Sequence, residues 1–466
     1  MSIGTDQQAS IAVTRFGLGA RPGEIDQARD DPAGFLKAQI RADGAEQPQG
    51  VLETSSQAAA GFATFQMARR DAKAAGDLKT DGVKQARTML RDTAGEDFLA
   101  RVRLGCGTDA SFRERWTLFW CNHFTVAANK IFTAALVGPF EREAIRPHVF
   151  GRFEDLLVAS TRHPGMLYYL DQAQSTGPDS PLAARRAKAG LNENLAREIM
   201  ELHTLGVGSG YSQADVTEFA RALTGWSFIG PNEGQRAGPF ALRGEPGDFV
   251  FRPYAHEPGV RRILGKTYAQ EGPAQARAIL RDLAAHPATA RHIAVKLARH
   301  FVADDPPPSL IARLEMRYVE SDGRLDDVAA ALIDAPEAWT PAGLKFKTPY
   351  EFIVSSYRAL GAQPGAVEKV APVLTSLGQK PFSAPSPKGW PEEAETWAAP
   401  DAVIKRMGWS EAFSAVVAPV SGEPVEIARN ALGARLTPLV AAAVTRAESR
   451  AEALSILLMS PEFQRR

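Results

Sequence analysis

Apolar residues recur every three or four positions along most of the chain, which is the spacing of one face of an α-helix. The clearest case lies between Ser111 and Phe124, where one continuous face carries Phe112, Trp116, Phe119, Trp120 and His123. The pattern therefore predicts a mainly α protein. Because no clear linker interrupts the chain, we expect residues 1–466 to form one large, bundle-like helical domain.

A short β-rich insertion interrupts this pattern. Residues 224–272 are rich in Gly, Pro and aromatic side chains. The apolar stretches Phe249–Phe251 and Ile263–Leu264 predict the two strands of a small β-hairpin around residues 245–270. His256 would then lie in the turn between the strands, beside a carboxylate.

Residues 378–400 predict a long irregular loop, because they contain several Pro and Gly residues and no helical periodicity. The loop also contains Phe382, Trp390 and Trp397. These aromatic rings either stack on sugar rings or pack on the helical core, and the sequence leaves both alternatives open.

The stretch from Leu191 to Trp226 predicts two helices joined by a Gly-rich turn. The first helix has an apolar stripe formed by Leu191, Leu195, Ile199, Leu202 and Leu205. Glu198 falls at the edge of this stripe. It shares a face with Asn194 and Glu201, because the three positions are spaced i, i+4, i+7. His203 lies on the other edge, roughly 140° round the helix from Glu198.

Two interpretations of this helix remain open. In the first, Glu198 and Glu201 form a half-buried carboxylate pair, in which burial and the like-charged neighbour raise one pKa and create an acid and a base. In the second, Glu193, Arg197 and Glu201 form a salt ladder on a solvated face, and His203 is a core residue bonded to a carbonyl group. An unpaired carboxylate beside leucines is costly, which favours the first interpretation for Glu198.

Histidines outside this helix suggest a metal alternative. His123 ends an aromatic stripe, and His256 lies in a loop, where a ligand or base is more accessible than inside a helix. A site for one divalent metal would combine His123, His203 or His256 with Glu198. No HExxH motif or other strong ligand spacing supports this site.

Three further polar residues follow predicted helices. His148 and His163 lie at the ends of helices between residues 132 and 170, and we expect them to act as caps. Asp171 follows an apolar run, so it either faces a cavity or caps the next turn. In a cavity it would supply a second carboxylate opposite Glu198, since glycoside cleavage usually needs carboxylates on both sides of the bond.

Composition excludes several classes of protein. Lys plus Arg and Asp plus Glu both number 54, and this zero net charge argues against nucleic acid as the main partner. No apolar run predicts a membrane span, and no nucleotide or flavin motif is visible. Cys106 and Cys121 form either one bridge or, as we favour, two buried thiols. The N-terminus lacks the pattern of a signal peptide, so the cytoplasm is the expected compartment.

Several stretches of the chain are similar to the bacterial family called "domain of unknown function 1800". They are NENLAREIMELHTLGVGSGYSQADVTEFARALTGW at 192–226, RFGLGARPGE at 15–24, FWCNHF at 119–124, LARHFVADDPP at 297–307, KFKTPYEFIVSSYRALG at 345–361 and LLMSPEF at 457–463. The resemblance implies no established reaction. Members often look exported and are often encoded beside a family resembling alkaline phosphatases and sulfatases. The resemblance therefore implies extracellular polymer or ester chemistry and leaves export open.

Two functions follow as hypotheses. The first is a hydrolase or lyase that acts on a polysaccharide or similar polymer through a carboxylate/histidine cleft. Its catalytic candidates are Glu198, Glu201, His203 and Asp171, its substrate-binding candidates are Asn194, Arg197, Trp226 and Trp390, and its metal candidates are His123 and His256. The alternative is a non-catalytic helical binding or assembly protein that escorts an exported enzyme.

Overall fold

The computed structural model describes residues 4–77, 79–185, 190–230, 233 and 243–466. Twenty-three α-helices form in this part of the chain, which confirms the mainly α class. They are α1 Thr5–Ile11, α2 Glu24–Ala28, α3 Pro32–Lys37, α4 Ser55–Ala74, α5 Asp81–Gly107, α6 Ser111–His123, α7 Ile131–Phe140, α8 Phe153–Arg162, α9 Pro164–Tyr169, α10 Asn194–Glu198, α11 Gln213–Leu223, α12 Pro273–Ala284, α13 Pro287–Phe301, α14 Pro308–Glu320, α15 Leu325–Asp334, α16 Pro349–Ala359, α17 Ala371–Ser376, α18 Ala394–Trp397, α19 Pro400–Val417, α20 Pro424–Leu432, α21 Pro438–Arg446, α22 Arg450–Met459 and α23 Pro461–Gln464.

Three π-helical segments extend these helices. They are Ala12–Phe16 after α1, Glu141–Ile145 after α7 and Ile199–His203 after α10. The predicted helix at 191–205 is therefore α10 followed directly by a π segment that ends at His203, and Gly206, with a φ of 89°, lies in the turn beyond it. A π turn leaves backbone carbonyls without their usual helical partners, and other side chains must then satisfy them.

Several helices begin where the sequence places a cap. Ser212 and Asp215 form a reciprocal capping box at the start of α11, and Thr348 and Glu351 form another at the start of α16. Pro349 follows Thr348 as the first helical residue, where its missing N–H is not needed.

The β structure is small but its strands do not pair as expected. Strand β1, Trp226–Phe228, pairs antiparallel with β2, Phe249–Phe251, while β3, Arg261–Ile263, pairs with β4, Lys266–Tyr268. The expected pairing of Phe249–Phe251 with residues 263–264 is therefore wrong. Leu264 and Gly265 have φ angles of 49° and 78°, so they form a tight turn that folds Ile263 back onto Lys266.

The 378–400 loop is less irregular than expected, because α18 forms within it. Trp397 is buried, and Phe382 lies edge-on to Phe98 of α5 at 5.4 Å between ring centroids. Both aromatic side chains therefore pack on the helical core. Cys106 and Cys121 are buried free thiols, as favoured above. Within the described residues, none of the helices combines the length and apolar character that crossing a membrane needs.

Two apolar clusters form the core. The larger one surrounds Trp116 and Trp120 of α6, and the smaller one surrounds α16 and the C-terminal helices. All residues of α16 are buried. Whether this arrangement counts as one domain stays a prediction.

Buried ion pairs join the two clusters. The Glu351 carboxylate of α16 lies 2.5 Å from Arg115 of α6 and 3.0 Å from Arg466. Burial alone would raise the pKa of Glu351, but the two guanidinium groups hold it well below its ordinary value. One carboxylate thus compensates two buried cations where the clusters meet.

The first prediction concerns this carboxylate. Replacing Glu351 with Ala leaves Arg115 and Arg466 buried without compensation, so we expect a loss of about 3–5 kcal/mol in the free energy of unfolding. The control is Glu426→Ala, since Glu426 pairs with Arg429 at the surface, where an ion pair contributes less than about 1 kcal/mol. Urea unfolding followed by circular dichroism measures both changes. Equal losses in the two variants would contradict this account.

Candidate functional site

The structure places Glu198 and Glu201 on a half-buried face of the α10 and π segment. Burial, and then the nearby Glu201, raise the pKa of Glu198, while Arg197 opposes the shift. Within the part of the chain that the structure describes, neither carboxylate forms a hydrogen bond or ion pair. Neither lines either of the two cavities described below. The pair is therefore electrostatically perturbed but has no cavity beside it that we can assign to a substrate.

The predicted salt ladder is present only in part. Arg197 pairs with Glu193 at 3.1 Å, and Glu193 also accepts hydrogen bonds from Gln213 and Thr217 of α11. Glu201 does not join this network. Asn194 is exposed at the start of α10. The Glu193 network therefore fastens α10 to α11 and gives no indication of a substrate site.

The remaining predicted residues are dispersed. Asp171 has a φ of 57° and pairs with Lys130 at 2.7 Å. His256 Nδ1–H donates to the carbonyl of Thr224 at 2.8 Å, beside β2. Trp390 is held by two hydrogen bonds between its backbone and the side chain of Asn122.

The structure does bring His203 and His123 together, with their ring centroids 6.0 Å apart. His123 Nε2–H donates to the carbonyl of His203, and His292 Nε2–H of α13 donates to the carbonyl of Leu202, each at 3.1 Å. These two rings thus satisfy carbonyls at the end of the π segment. Lys296 of α13 donates to His123 Nδ1 at 2.9 Å. Sequence analysis missed His292 and Lys296 because they lie on another helix.

The ring of His203 has no hydrogen-bond partner among the described residues and is almost fully buried. Burial, and then Lys296, lower the pKa of His203 to about 3 and that of His292 to about 4. Both ring nitrogens of His123 are engaged, so no lone pair is left for a metal. The described residues contain no group of three His, Cys, Asp or Glu side chains that could hold a metal ion.

A cavity of about 110 Å³ lies where the two apolar clusters meet, and His123, His203 and His292 are not among its lining residues. Asn122 and Trp390 form part of its wall. Charged groups in the wall are paired with each other: Arg101 with Glu141, Arg115 with Glu351, and His300 with Glu392. The cavity wall therefore contains charged groups, but their charges are already compensated within the protein.

A larger cleft has a volume of about 620 Å³. Three elements meet there: the first residue of α4, Ser55; the π segment carrying Glu143; and the residue that precedes α9, His163. Ser55 Oγ–H donates to Glu143 Oε2 at 2.6 Å, and the Ser55 backbone N–H donates to Glu143 Oε1 at 2.9 Å. His163 Nε2 lies 3.1 Å from Glu143 Oε2 and 3.0 Å from Ser55 Oγ.

The orientation of His163 decides what this trio can do. The backbone N–H of Gly165 donates to His163 Nδ1 at 3.0 Å, which confirms the predicted capping role and leaves Nε2 with the proton. His163 therefore cannot take a proton from Ser55, as a serine–histidine–acid relay requires. It donates to Glu143 instead.

Glu143 is consequently an ionised and firmly oriented carboxylate. Burial alone would raise its pKa, but the hydrogen bonds and charge of His163, together with the bonds from Ser55, lower it overall. The Glu143 side chain is 37% exposed, whereas those of Ser55 and His163 are buried behind it. Glu143 is thus the member of the trio that a molecule in the cleft can reach.

Two arginines, Arg162 and Arg277, also line the cleft. The Arg162 guanidinium lies 4.2 Å above the ring of Phe249 in β2, and that ring packs edge-on against Trp226. Burial, and then the neighbouring Arg277, lower the pKa of Arg162. Neither arginine pairs with a carboxylate of the described residues. Trp226, a predicted substrate-binding residue, is therefore buried, and the ring of Phe249 separates it from the cleft.

His148 also lines the cleft and makes no capping bond in the described part of the chain. Burial lowers its pKa, while Asp155 opposes the shift. The sequence signal for this site was weak. Thr54 and Gln57 mark the helix start at α4, but nothing local connects them with Glu143, which lies 88 residues from Ser55.

Sequence comparison settles the family. A model of the family described as "Protein of unknown function (DUF1800)" matches residues 11–465. The chain belongs to this family. The match confirms the resemblance drawn from the motifs and covers the elements that form the cleft, the cavity and the histidine cluster. No curated protein and no solved structure matches the chain.

The second prediction follows from the buried ring of His203, which has no hydrogen-bond partner among the described residues. In the unfolded chain His203 binds a proton below its ordinary pKa of 6.5, whereas in the folded protein it stays neutral down to about pH 3. Stability is therefore lost as the pH falls through this range. Replacing His203 with Leu removes this loss. Between pH 7 and pH 4.5, the free energy of unfolding should therefore fall by about 3 kcal/mol more in the wild type than in the variant. Urea unfolding at both pH values tests this, and parallel losses in the two proteins would refute it.

Proposed function

We propose that the protein is a hydrolase that acts on a polysaccharide or similar polyhydroxylated polymer, with Glu143 as the general base. One observation carries this proposal: a carboxylate fixed by three donors at the exposed edge of a cleft of about 620 Å³. A cleft of this size lies within the range of ligand sites, and its position at the surface suits a segment of a long chain.

The chemistry follows from the tautomer of His163. Glu143 accepts a proton from a water molecule, which then attacks the bond to be cleaved. Ser55 and His163 position the carboxylate through their O–H and N–H groups, and neither has to lose its proton. The lowered pKa of Glu143 keeps it ionised at neutral pH, which is the form that can accept a proton.

The two arginines of the cleft suit anionic substituents. Arg162 and Arg277 can donate to carboxylate, sulfate or phosphate groups, because no carboxylate of the described residues occupies them. Phe249 holds the Arg162 guanidinium in place. His148, supported by Asp155, is the candidate acid that protonates the leaving oxygen.

The third prediction compares two carboxylates. Glu143→Gln keeps the shape of the side chain but removes the base, so turnover should fall at least 100-fold. Glu198→Gln, at the position that the sequence favoured, should change turnover less than two-fold. The assay measures new chain ends released from a uronic-acid polysaccharide, a sulfated polysaccharide and a neutral glucan. Wild-type activity should decline below pH 4.5, the ordinary pKa of a glutamate, where Glu143 becomes protonated, and it should also be low above pH 6.5, where His148, whose pKa burial lowers from that value, has lost the proton that an acid needs.

Opposite outcomes are equally informative. If Glu198→Gln abolishes turnover and Glu143→Gln does not, the site lies at α10 and the cleft proposal is wrong. If none of the polymers is cleaved by correctly folded protein, the hydrolase proposal fails.

The alternative function, a binding protein for another chain, also has an observation in its favour. Ile404, Met407, Val416 and Val420, in and just after α19, are exposed apolar side chains, as is Leu439 of α21. Exposed apolar residues are typical of contacts with partners where they form a continuous patch. If the polymer assays are negative, binding to another protein chain becomes the preferred function.

A further inference from the structure

The helices α4 and α5 form an antiparallel hairpin, because the short connection of residues 75–80 joins them and they pack against each other. Within residues 66–74 and 81–92 only Ala72, Ala86 and Leu90 are buried, and most of the others are exposed. This end of the hairpin therefore packs mainly on itself and presents its outer surface to the solvent.

One side of this surface carries basic side chains and no acidic ones. They come from three positions of α4, spaced i, i+1, i+4, and three of α5, spaced i, i+3, i+7, so each set lies on one flank of its helix. Both flanks lie about a quarter turn from the inner face in the same sense, and in an antiparallel pair this places them on the same side of the hairpin. This basic face consists of Arg69, Arg70, Lys73, Lys84, Arg87 and Arg91.

The acidic residues of the same segments point away from the basic face. Asp71 of α4 and Asp92 of α5 lie more than a quarter turn round their helices from it, as do the exposed side chains of Met67 and Met89. A solvated helix usually alternates the two signs of charge along one face, so this separation is not the ordinary pattern.

The separation leaves most of the basic face without internal compensation. Among the described residues, no carboxylate lies within ion-pair distance of Arg69, Lys73, Arg87 or Arg91. Arg70 has Asp71 at 3.8 Å and Lys84 has Asp81 at 3.1 Å. All of these side chains are well exposed, and exposed pairs contribute little. The face is therefore available to an external anion.

The cations are also close together. The three of α4 span about 6 Å along the helix and the three of α5 about 10 Å, while packed helices lie about 8–10 Å apart. Such a concentration of one charge attracts a polyanion, because binding releases the counterions that the polyanion carries.

We propose that the basic face binds an anionic polysaccharide outside the Glu143 cleft. This rests on the proposed function, because the occupant belongs to the class of polymer assigned to that cleft. The helix α4 begins in the cleft at Ser55 and reaches Lys73 about 27 Å further along its axis. A chain longer than this distance can occupy both sites, and its bound part then raises the local concentration of the rest at the cleft.

The composition of the basic face favours a sugar polymer over other polyanions. A folded protein partner needs an apolar centre to its interface, single-stranded nucleic acid needs aromatic rings for stacking, and a membrane surface needs bulky apolar side chains beside the cations. The basic face has none of these. Carboxylate and sulfate groups on a linear polymer need only charged donors, and arginine binds them through two parallel hydrogen bonds.

The fourth prediction compares two variants with the same change in net charge. One replaces four residues of the basic face by Gln: Arg69, Lys73, Arg87 and Arg91. The control replaces four exposed cations elsewhere that have no ion pair among the described residues: Arg41, Arg299, Lys369 and Arg446. Both carry Glu143→Gln, so the polymer is not cleaved during the measurement. Calorimetric titration with heparin oligosaccharides and with polygalacturonate should show binding at least ten-fold weaker in the face variant and less than two-fold weaker in the control.

Equal losses in the two variants would overturn the proposal, because net charge alone would then explain binding. Tighter binding of duplex DNA or of phosphatidylserine vesicles through the same four residues would show that the occupant is wrong. Turnover separates this proposal from the hydrolase. If the wild type cleaves the polymers but the face variant binds them as the control does, the basic face is refuted and the hydrolase stands. If the face variant loses binding and the wild type cleaves nothing, the basic face is supported and the hydrolase fails.

Discussion

A single buried carboxylate between two arginines controls the geometry of this protein. Glu351 can remain ionised inside the protein only while Arg115 and Arg466 both face it, because an unpaired buried charge is very costly. This requirement fixes α6 relative to α16. Since α6 also carries Asn122 and His123, the same ion pairs determine where the cavity wall and the histidine cluster lie.

The π segments have a second structural consequence. The described residues form three π segments, and two of them contribute to the sites described above. One carries Glu143, and another ends at His203. The extra residue in a π turn changes the direction of the side chains that follow it, and it leaves carbonyl groups without their usual helical hydrogen bonds. At the end of the second segment, His123 and His292 bond to these carbonyls, and this ties three separate helical elements into one cluster.

Local patterns predicted the fold class but not the sites. Helical periodicity and capping boxes such as Ser212–Asp215 depend on neighbours a few residues apart, so the sequence reveals them directly. The partner of β2 was misassigned because the positive φ angles at Leu264 and Gly265 determined the turn. Ser55 lies 108 residues from His163, and His123 lies 173 residues from Lys296, so no spacing rule connects either pair. Only the packing of helices that are distant in the sequence brings the residues of each pair together.

The proposed function depends on which nitrogen of His163 carries the proton, and the same question arises at His123; in each case one backbone group decides it. The Gly165 N–H occupies His163 Nδ1, so His163 can only donate to Glu143, and the carboxylate becomes the base. The His203 carbonyl occupies His123 Nε2, so His123 can only accept from Lys296. The same side chain therefore plays opposite roles in the two sites. Its role follows from the backbone beside it, so histidine positions alone could not have separated the two roles.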